Sequence, residues 1–155
     1  MTLLIVVFCG CTATKKTNIN VSYLEKNTIS CKLSTPIYFL LDKAILEYNQ
    51  SHPIFTKLRY IGICSDDNNN FIVDCSDRFN CVFFDVFQDN LVCFYYRGCL
   101  VEISSKDIEK FILNELSNKE DTRMKVRCIT KKVHVQRCLF DNNYKFTNSF
   151  KCNYY

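Results

Sequence analysis

The cysteines are the residues of this 155-residue chain whose chemistry stands out, with eleven in all. Thiolates can bind metals, thiol pairs can carry out redox reactions, and cysteines can join as disulfides. Structural zinc sites favour two cysteines separated by about two to four residues, whereas five residues separate Cys75 from Cys81 and Cys93 from Cys99. Redox dithiols favour Cys-x-x-Cys, which this sequence lacks. The spacing therefore predicts disulfides rather than a metal or redox site, and no cofactor is expected.

An apolar run near the start of the chain predicts where these cysteines reside. Residues 3–11 read LLIVVFCGC, which is too short for a membrane span of about 20 residues. Small residues follow the run up to Ala13, as in the cleavage region of a signal peptide. We therefore predict a signal peptide at residues 1–13 and a single secreted, extracellular domain at residues 14–155, without a membrane span.

Nine cysteines remain after this leader, and an oxidising compartment favours their pairing as disulfides. Nine is an odd number, so one thiol either stays free or joins a second chain in a dimer, and Cys152 in the polar tail is the candidate. The sequons at Asn20 and Asn49 fit the secretory route as glycosylation sites. The disulfide candidates are Cys31, Cys64, Cys75, Cys81, Cys93, Cys99, Cys128, Cys138 and Cys152.

Two segments have the pattern of helices. STPIYFLLDKAILEYNQSHP has Pro36 in its first turn and ends at His52-Pro53, and Lys43 and Glu47 are expected on its outer face. Its apolar stripe consists of Ile37, Leu40, Leu41, Ala44, Ile45 and Tyr48. SSKDIEKFILNELSNK predicts a second helix, with the acidic Asp107 near its positive N-terminus.

The remaining apolar segments predict strands. Alternation or apolar runs at 55–64, 71–75, 81–87 and 91–97 are typical of strands, and the last two form a predicted hairpin that turns at 88–90. CLVEI is expected to extend this sheet, 123–138 to form two short strands, and 139–155 to form a loop tied down by Cys138 and Cys152. The predicted fold class is α+β, with a mainly antiparallel, disulfide-stabilised sheet packed against one or two helices.

Two sets of side chains are candidates for contacts with a partner. Residues 123–137 contain six cations and no acid, which suits a polyanion or an acidic protein, or else is an ordinary solvated sheet face. For a secreted protein the polyanion would be a glycosaminoglycan rather than a nucleic acid. The second candidate surface is formed by Tyr95, Tyr96 and Arg97 near a strand end. The six cations are Arg123, Lys125, Arg127, Lys131, Lys132 and Arg137.

Catalytic motifs are missing from the sequence. The glycines at 10, 62 and 98 form neither a phosphate-binding loop nor a Gly-x-Ser-x-Gly nucleophile elbow. His134 lies in the segment KKVHVQR, whose alternation predicts a solvent-facing side chain on a strand. A small secreted hydrolase that uses His134 is therefore an alternative, and a non-enzymatic protein is the main expectation.

One part of the sequence resembles a known family. LDKAILEYNQSHP followed by FTKLRYIGI resembles the start of a cystatin-type domain, over about Pro36 to Ile63. The resemblance implies a long helix followed by an antiparallel sheet that wraps it. The Gln-x-Val-x-Gly and Pro-Trp motifs of cystatin inhibitors are absent, so it implies the fold, with inhibition of cysteine proteases as an alternative function.

Composition, size and leader together are similar to small secreted immune modulators of large DNA viruses. The leading prediction is a secreted, disulfide-stabilised, non-enzymatic binding protein that engages an extracellular host protein.

Overall fold

The computed structural model describes residues 28–78, 90–104, 107–113, 124–125 and 133–154. Several predictions lie outside these ranges: the signal peptide, Asn20, the strand at 81–87 with Cys81, residues 88–89 of the predicted turn, and Cys128. The same holds for Arg123, Arg127, Lys131 and Lys132.

In the described part of the chain, seven strands form a single sheet in the order β5-β3-β4-β1-β2-β6-β7. The strands are β1 (Tyr60–Ser65), β2 (Phe71–Ser76), β3 (Asn90–Tyr96), β4 (Cys99–Ser104), β5 (Met124–Lys125), β6 (Val133–Phe140) and β7 (Phe146–Tyr154). Neighbouring strands are antiparallel, except that β1 and β4 are parallel. The predicted α+β class with a mainly antiparallel sheet is confirmed.

The main helix, α1 (Thr35–Ser51), forms where the sequence predicted it. Pro36 occupies its first turn, and the helix ends at His52 because the following Pro53 disfavours helical backbone before it. The stripe that faces the sheet is buried at Ile37, Leu40, Leu41, Ala44 and Tyr48, with Ile45 half-buried. It packs on a sheet face that includes Ile61, Ile63, Val73, Val101 and Ile103. This contact is the hydrophobic core of the domain.

The second helix, α2 (Ile108–Phe111), spans four residues, which is a short part of the predicted 104–119. The structure describes neither 105–106 nor 114–123, so the rest of that prediction lies outside it. Phe111 and Ile112 are buried, and both belong to the hydrophobic core. Asp107 is fully buried, and its carboxylate accepts hydrogen bonds of 2.8 Å from both the backbone N–H and the hydroxyl of Ser65. It therefore fastens this segment to the end of β1.

The C-terminal tail differs from the prediction of a loop. Residues 146–154 form β7, which pairs with β6 along its length. The turn between them is built by Asp141, whose carboxylate accepts hydrogen bonds of 2.9 Å from the N–H groups of Asn143 and Lys145. The partner strand supplies the backbone hydrogen bonds that this polar segment could not provide for itself. The loop prediction is therefore wrong.

A tight turn joins β3 to β4. Its two central residues, Arg97 and Gly98, have φ angles of 48° and 77°, so both lie in the left-handed region that two-residue hairpin turns of this kind require. The strand β4 confirms the prediction that CLVEI extends the sheet. The turn also places Arg97 at the end of the sheet where β1 begins, since Tyr60 pairs with Leu100.

Candidate functional site

The predicted disulfide stabilisation is not supported, because no disulfide joins the seven described cysteines, which are Cys31, Cys64, Cys75, Cys93, Cys99, Cys138 and Cys152. The strand register explains this, because each described strand cysteine lies opposite a residue other than cysteine. Cys138, for example, lies opposite Val73 and Ser149, and Cys152 opposite Val135. Burial raises the pKa of the Cys31 thiol to about 11 and that of Cys138 to about 12. These thiols are therefore protonated and weakly nucleophilic at neutral pH.

Of the predicted basic stretch, Arg137 is described with its side chain, and Lys125 lies in β5 with its side chain outside the described part. The guanidinium of Arg137 donates two hydrogen bonds, of 2.8 and 2.7 Å, to the carboxylate of Asp74. Asp74 is buried, on the sheet face opposite α1. Arg137 therefore neutralises a buried acid instead of contributing a free positive charge to a basic surface.

The predicted interface of Tyr95, Tyr96 and Arg97 is divided between two faces of the sheet. Neighbouring strand residues point in opposite directions, so Tyr96 faces α1 and the exposed Tyr95 faces away from it. The hydroxyl of Tyr96 donates a hydrogen bond of 2.7 Å to Asp42 of α1. Arg97 donates one of 3.2 Å to the other oxygen of the same carboxylate. Asp42 thus holds Tyr96 and Arg97 together from across the helix–sheet contact.

A fourth residue completes this group. The rings of Tyr38 and Tyr96 lie 5.8 Å apart between centroids, at an angle of 51°. The guanidinium of Arg97 lies 5.4 Å from the centroid of the Tyr96 ring, within range of a cation–π contact. We call Tyr38, Asp42, Tyr96 and Arg97 the aromatic patch. Burial, followed by the hydrogen bond to Asp42, raises the pKa of Tyr96, so its hydroxyl remains a donor at neutral pH.

Two residues of the aromatic patch, Tyr96 and Arg97, were predicted from the sequence, and the other two were missed. The signal for Tyr38 and Asp42 was their spacing of four residues on the predicted helix, which places them on one helix face. Their position against β3 was not predictable from the sequence, because it depends on how α1 lies across the sheet. Tyr38 is 40% exposed and Arg97 lies at the surface, so the patch is accessible to a partner.

Other predicted positions lie away from the patch. His134 lies in β6 opposite Asn153, with its side chain outside the described part of the chain. Asn49 is exposed in the last turn of α1. Within the described ranges, no three His, Cys, Asp or Glu side chains are grouped as metal ligands. In the same ranges, no helix has the length and apolarity to cross a membrane.

Fold and patch together define a mainly antiparallel α+β domain with an ordered tyrosine–arginine surface. No protein-family model, no curated protein and no solved structure matches this chain.

Proposed function

We propose that this protein is a secreted, non-enzymatic binding protein that engages an extracellular host protein through the aromatic patch. The observation that carries the proposal is the single carboxylate of Asp42, which fixes both Tyr96 and Arg97 beside the exposed Tyr38. Tyrosine and arginine dominate the energetics of protein interfaces, where each combines a large apolar area with a polar end. The patch therefore has the chemistry of a protein contact.

The side chains of the aromatic patch are held in place before a partner binds, and this lowers the entropic cost of binding. A rotamer-rich side chain that becomes immobile on binding costs about 0.5–1.5 kcal/mol. Arg97 and Tyr96 are already held by Asp42, so much of this cost falls on folding instead of binding. Arg97 also retains donor groups for a partner, because only one of its nitrogens bonds Asp42 in the contacts described. An acceptor-rich protein surface, with carboxylates or backbone carbonyls, is the matching partner.

Secretion is part of the proposal and rests on the apolar leader at residues 3–11. The likeness in composition and size to viral immune modulators supports a host protein as the partner. Disulfides within the chain are not proposed for the seven described cysteines, since no disulfide joins them in the structure. A dimer through Cys152 stays a proposal, supported by the half-buried position of this thiol on β7, the last strand in the sheet order.

The test compares patch variants with a neighbour on the opposite face. Tagged protein is incubated with serum and with solubilised cell-surface proteins, and captured proteins are quantified by mass spectrometry. We expect Tyr38→Ala and Arg97→Gln each to reduce capture of the specific ligand by about tenfold or more. Tyr95→Ala is the matched control, because Tyr95 lies next to Tyr96 in β3 and is exposed, but points away from α1.

Two results would contradict the proposal. One is that the wild-type protein captures no host protein. The other is a captured protein whose binding is unchanged in both patch variants. Thermal unfolding of each variant shows whether a loss of capture reflects a loss of folded protein.

A further inference from the structure

The most exposed apolar side chains of the described chain lie outside the aromatic patch, in the turn that follows α1. The N–H of Thr56 donates a hydrogen bond of 2.9 Å to the carbonyl of Pro53, which places Ile54 and Phe55 at the two centres of a β-turn. Ile54 is 98% exposed and Phe55 is 95% exposed. We call this pair the apolar tip. Glycine, proline, asparagine and aspartate are the usual residues at turns, and two large apolar side chains there add nothing to the core.

The apolar tip lies next to a group of cations. Phe55 borders a surface depression of about 350 Å³ together with Lys57, Arg59 and Arg78. One carboxylate, that of Asp77, also borders it, so cations outnumber acids there by three to one. We call Lys57, Arg59 and Arg78 the basic collar. From Pro53 to Cys64 the sequence contains no acidic residue.

The collar is attached to a rigid part of the sheet. The N–H of Arg59 donates a hydrogen bond of 3.1 Å to the carbonyl of Ser76, and its own carbonyl accepts one of 2.8 Å from Leu100. Arg59 is thus fixed between the strands β2 and β4 just before β1 begins. The tip therefore projects from an ordered base, so little conformational entropy is lost when it contacts a surface.

We propose that the apolar tip and the basic collar dock this protein on an anionic phospholipid bilayer. Ile54 and Phe55 would enter the boundary between headgroups and acyl chains, while the collar contacts the lipid phosphates. Membrane-surface anchors combine apolar burial with attraction of cations to anionic lipids in this way. A protruding pair suits a bilayer better than a protein partner, because lipids accept it without a matching pocket.

This inference goes beyond the proposed function and uses residues outside the aromatic patch. The two proposals can fail separately, since Tyr38→Ala, which removes no charge, is expected to leave lipid binding unchanged.

The sequence provides a direct test, because the chain contains no tryptophan. Phe55→Trp introduces a single tryptophan, whose emission can be excited selectively over that of the nine tyrosines, at a position that is exposed enough to accept it without repacking. We expect its emission to shift to shorter wavelength when vesicles of phosphatidylcholine and phosphatidylserine are added, and to shift far less with phosphatidylcholine alone. Phe39→Trp is the matched control, since Phe39 is a 66% exposed aromatic residue on α1. Its emission is expected to remain unchanged.

Co-sedimentation with the same vesicles measures how much the apolar tip and the basic collar each contribute to lipid binding. The double variant Ile54→Ser/Phe55→Ser is expected to bind at least about tenfold more weakly, because two apolar side chains no longer leave water. Lys57→Gln/Arg59→Gln is expected to bind roughly tenfold more weakly or worse, and binding of the wild type should fall as salt is raised.

The proposal is overturned if Phe55→Trp shows no shift with anionic vesicles, or if Phe39→Trp shifts equally, which would mean general adsorption. It is also overturned if serine at the tip leaves sedimentation unchanged. Loss of host-protein capture in the tip variant, without any lipid binding by the wild type, would assign the tip to a protein interface instead.

Discussion

Asp74 of β2 and Arg137 of β6 lie directly opposite each other in the sheet and form an ion pair with two hydrogen bonds, of 2.8 and 2.7 Å. Asp74 is only 2% exposed, so its charge is compensated almost entirely within the protein. A planar guanidinium can meet both oxygens of a carboxylate at once, which an ammonium group cannot. This pair joins the two strands through their side chains, in addition to their backbone pairing.

Removal of the guanidinium should therefore be costly. For Arg137→Gln we expect a loss of about 1–3 kcal/mol in the free energy of unfolding at neutral pH, because the buried carboxylate loses two hydrogen bonds and must take up a proton. Urea unfolding monitored by circular dichroism measures this loss of stability. Lys151→Gln is the control on the neighbouring strand β7, where the side chain is exposed, and should change stability by less than about 0.5 kcal/mol. Equal effects of the two substitutions would show that the pair is not important for stability.

The same carboxylate should make stability depend on pH. Burial raises the pKa of Asp74, and the nearby charge and hydrogen bonds of Arg137 oppose this rise. The net result is a change of the pKa from 3.8 to about 6. Because the folded state holds the proton more tightly, the contribution of Asp74 is fully present below pH 3.8 and is lost as the pH rises through about 6. The stability of the wild type relative to Asp74→Asn should thus fall by roughly 3 kcal/mol from low to neutral pH. Parallel pH profiles that differ by a constant amount would contradict the raised pKa.

Asp107 should stabilise the contact between α2 and β1. Its carboxylate is fully buried and binds both the N–H and the hydroxyl of Ser65, so Asp107→Ala should cost about 2–3 kcal/mol of unfolding free energy. Ser65→Ala removes only the hydroxyl and should cost about 1 kcal/mol. Glu109→Ala, at an exposed position two residues away, is the control. A larger loss for Ser65→Ala than for Asp107→Ala would contradict this role.

The cysteines of the folded protein should resist alkylation until it unfolds. Cys75, Cys93 and Cys138 are completely buried, and burial raises the pKa of each thiol. We expect iodoacetamide to label them slowly in the native state and fully in denaturant without reductant. The half-buried Cys152 should react earlier. If labelling in denaturant required a reductant, these cysteines would be disulfide-bonded and the free thiols of the structure would be contradicted.

The predictions from sequence succeeded where the signal is local. Pro36, His52-Pro53 and the apolar spacing between them determine α1, because each acts within one or two helical turns. The strands around Ile63 and Val73 were predicted for a similar reason, since each is a short apolar segment next to an Asp- and Asn-rich turn. The prediction of a loop at 146–154 failed because this strand depends on its pairing with β6. Phe150, Cys152 and Tyr154 do alternate with Lys151 and Asn153, but the Asn-rich composition favoured a loop.

Side-chain partners that are distant in sequence were not predictable. Lys43 and Glu47 were expected on the outer face of α1. Instead, the ammonium of Lys43 lies 4.3 Å from the centroid of the Phe146 ring, and Glu47 accepts a hydrogen bond of 2.7 Å from Ser149. Both contacts join the helix to β7, the strand that the sequence did not reveal. Because the tail was predicted as a loop, the contacts of Lys43 and Glu47 with β7 could not be predicted, although α1 itself was.

The sequence by itself determined the main elements of this protein: a helix ended by proline, and apolar strands. These follow from the conformational preferences of each residue and its near neighbours. Tertiary structure alone decided that Asp42 meets Tyr96 and Arg97, and that Asp74 meets Arg137. Such contacts join residues more than fifty positions apart, and they depend on strand register and on the placement of the helix across the sheet. Local preferences carry no information about either.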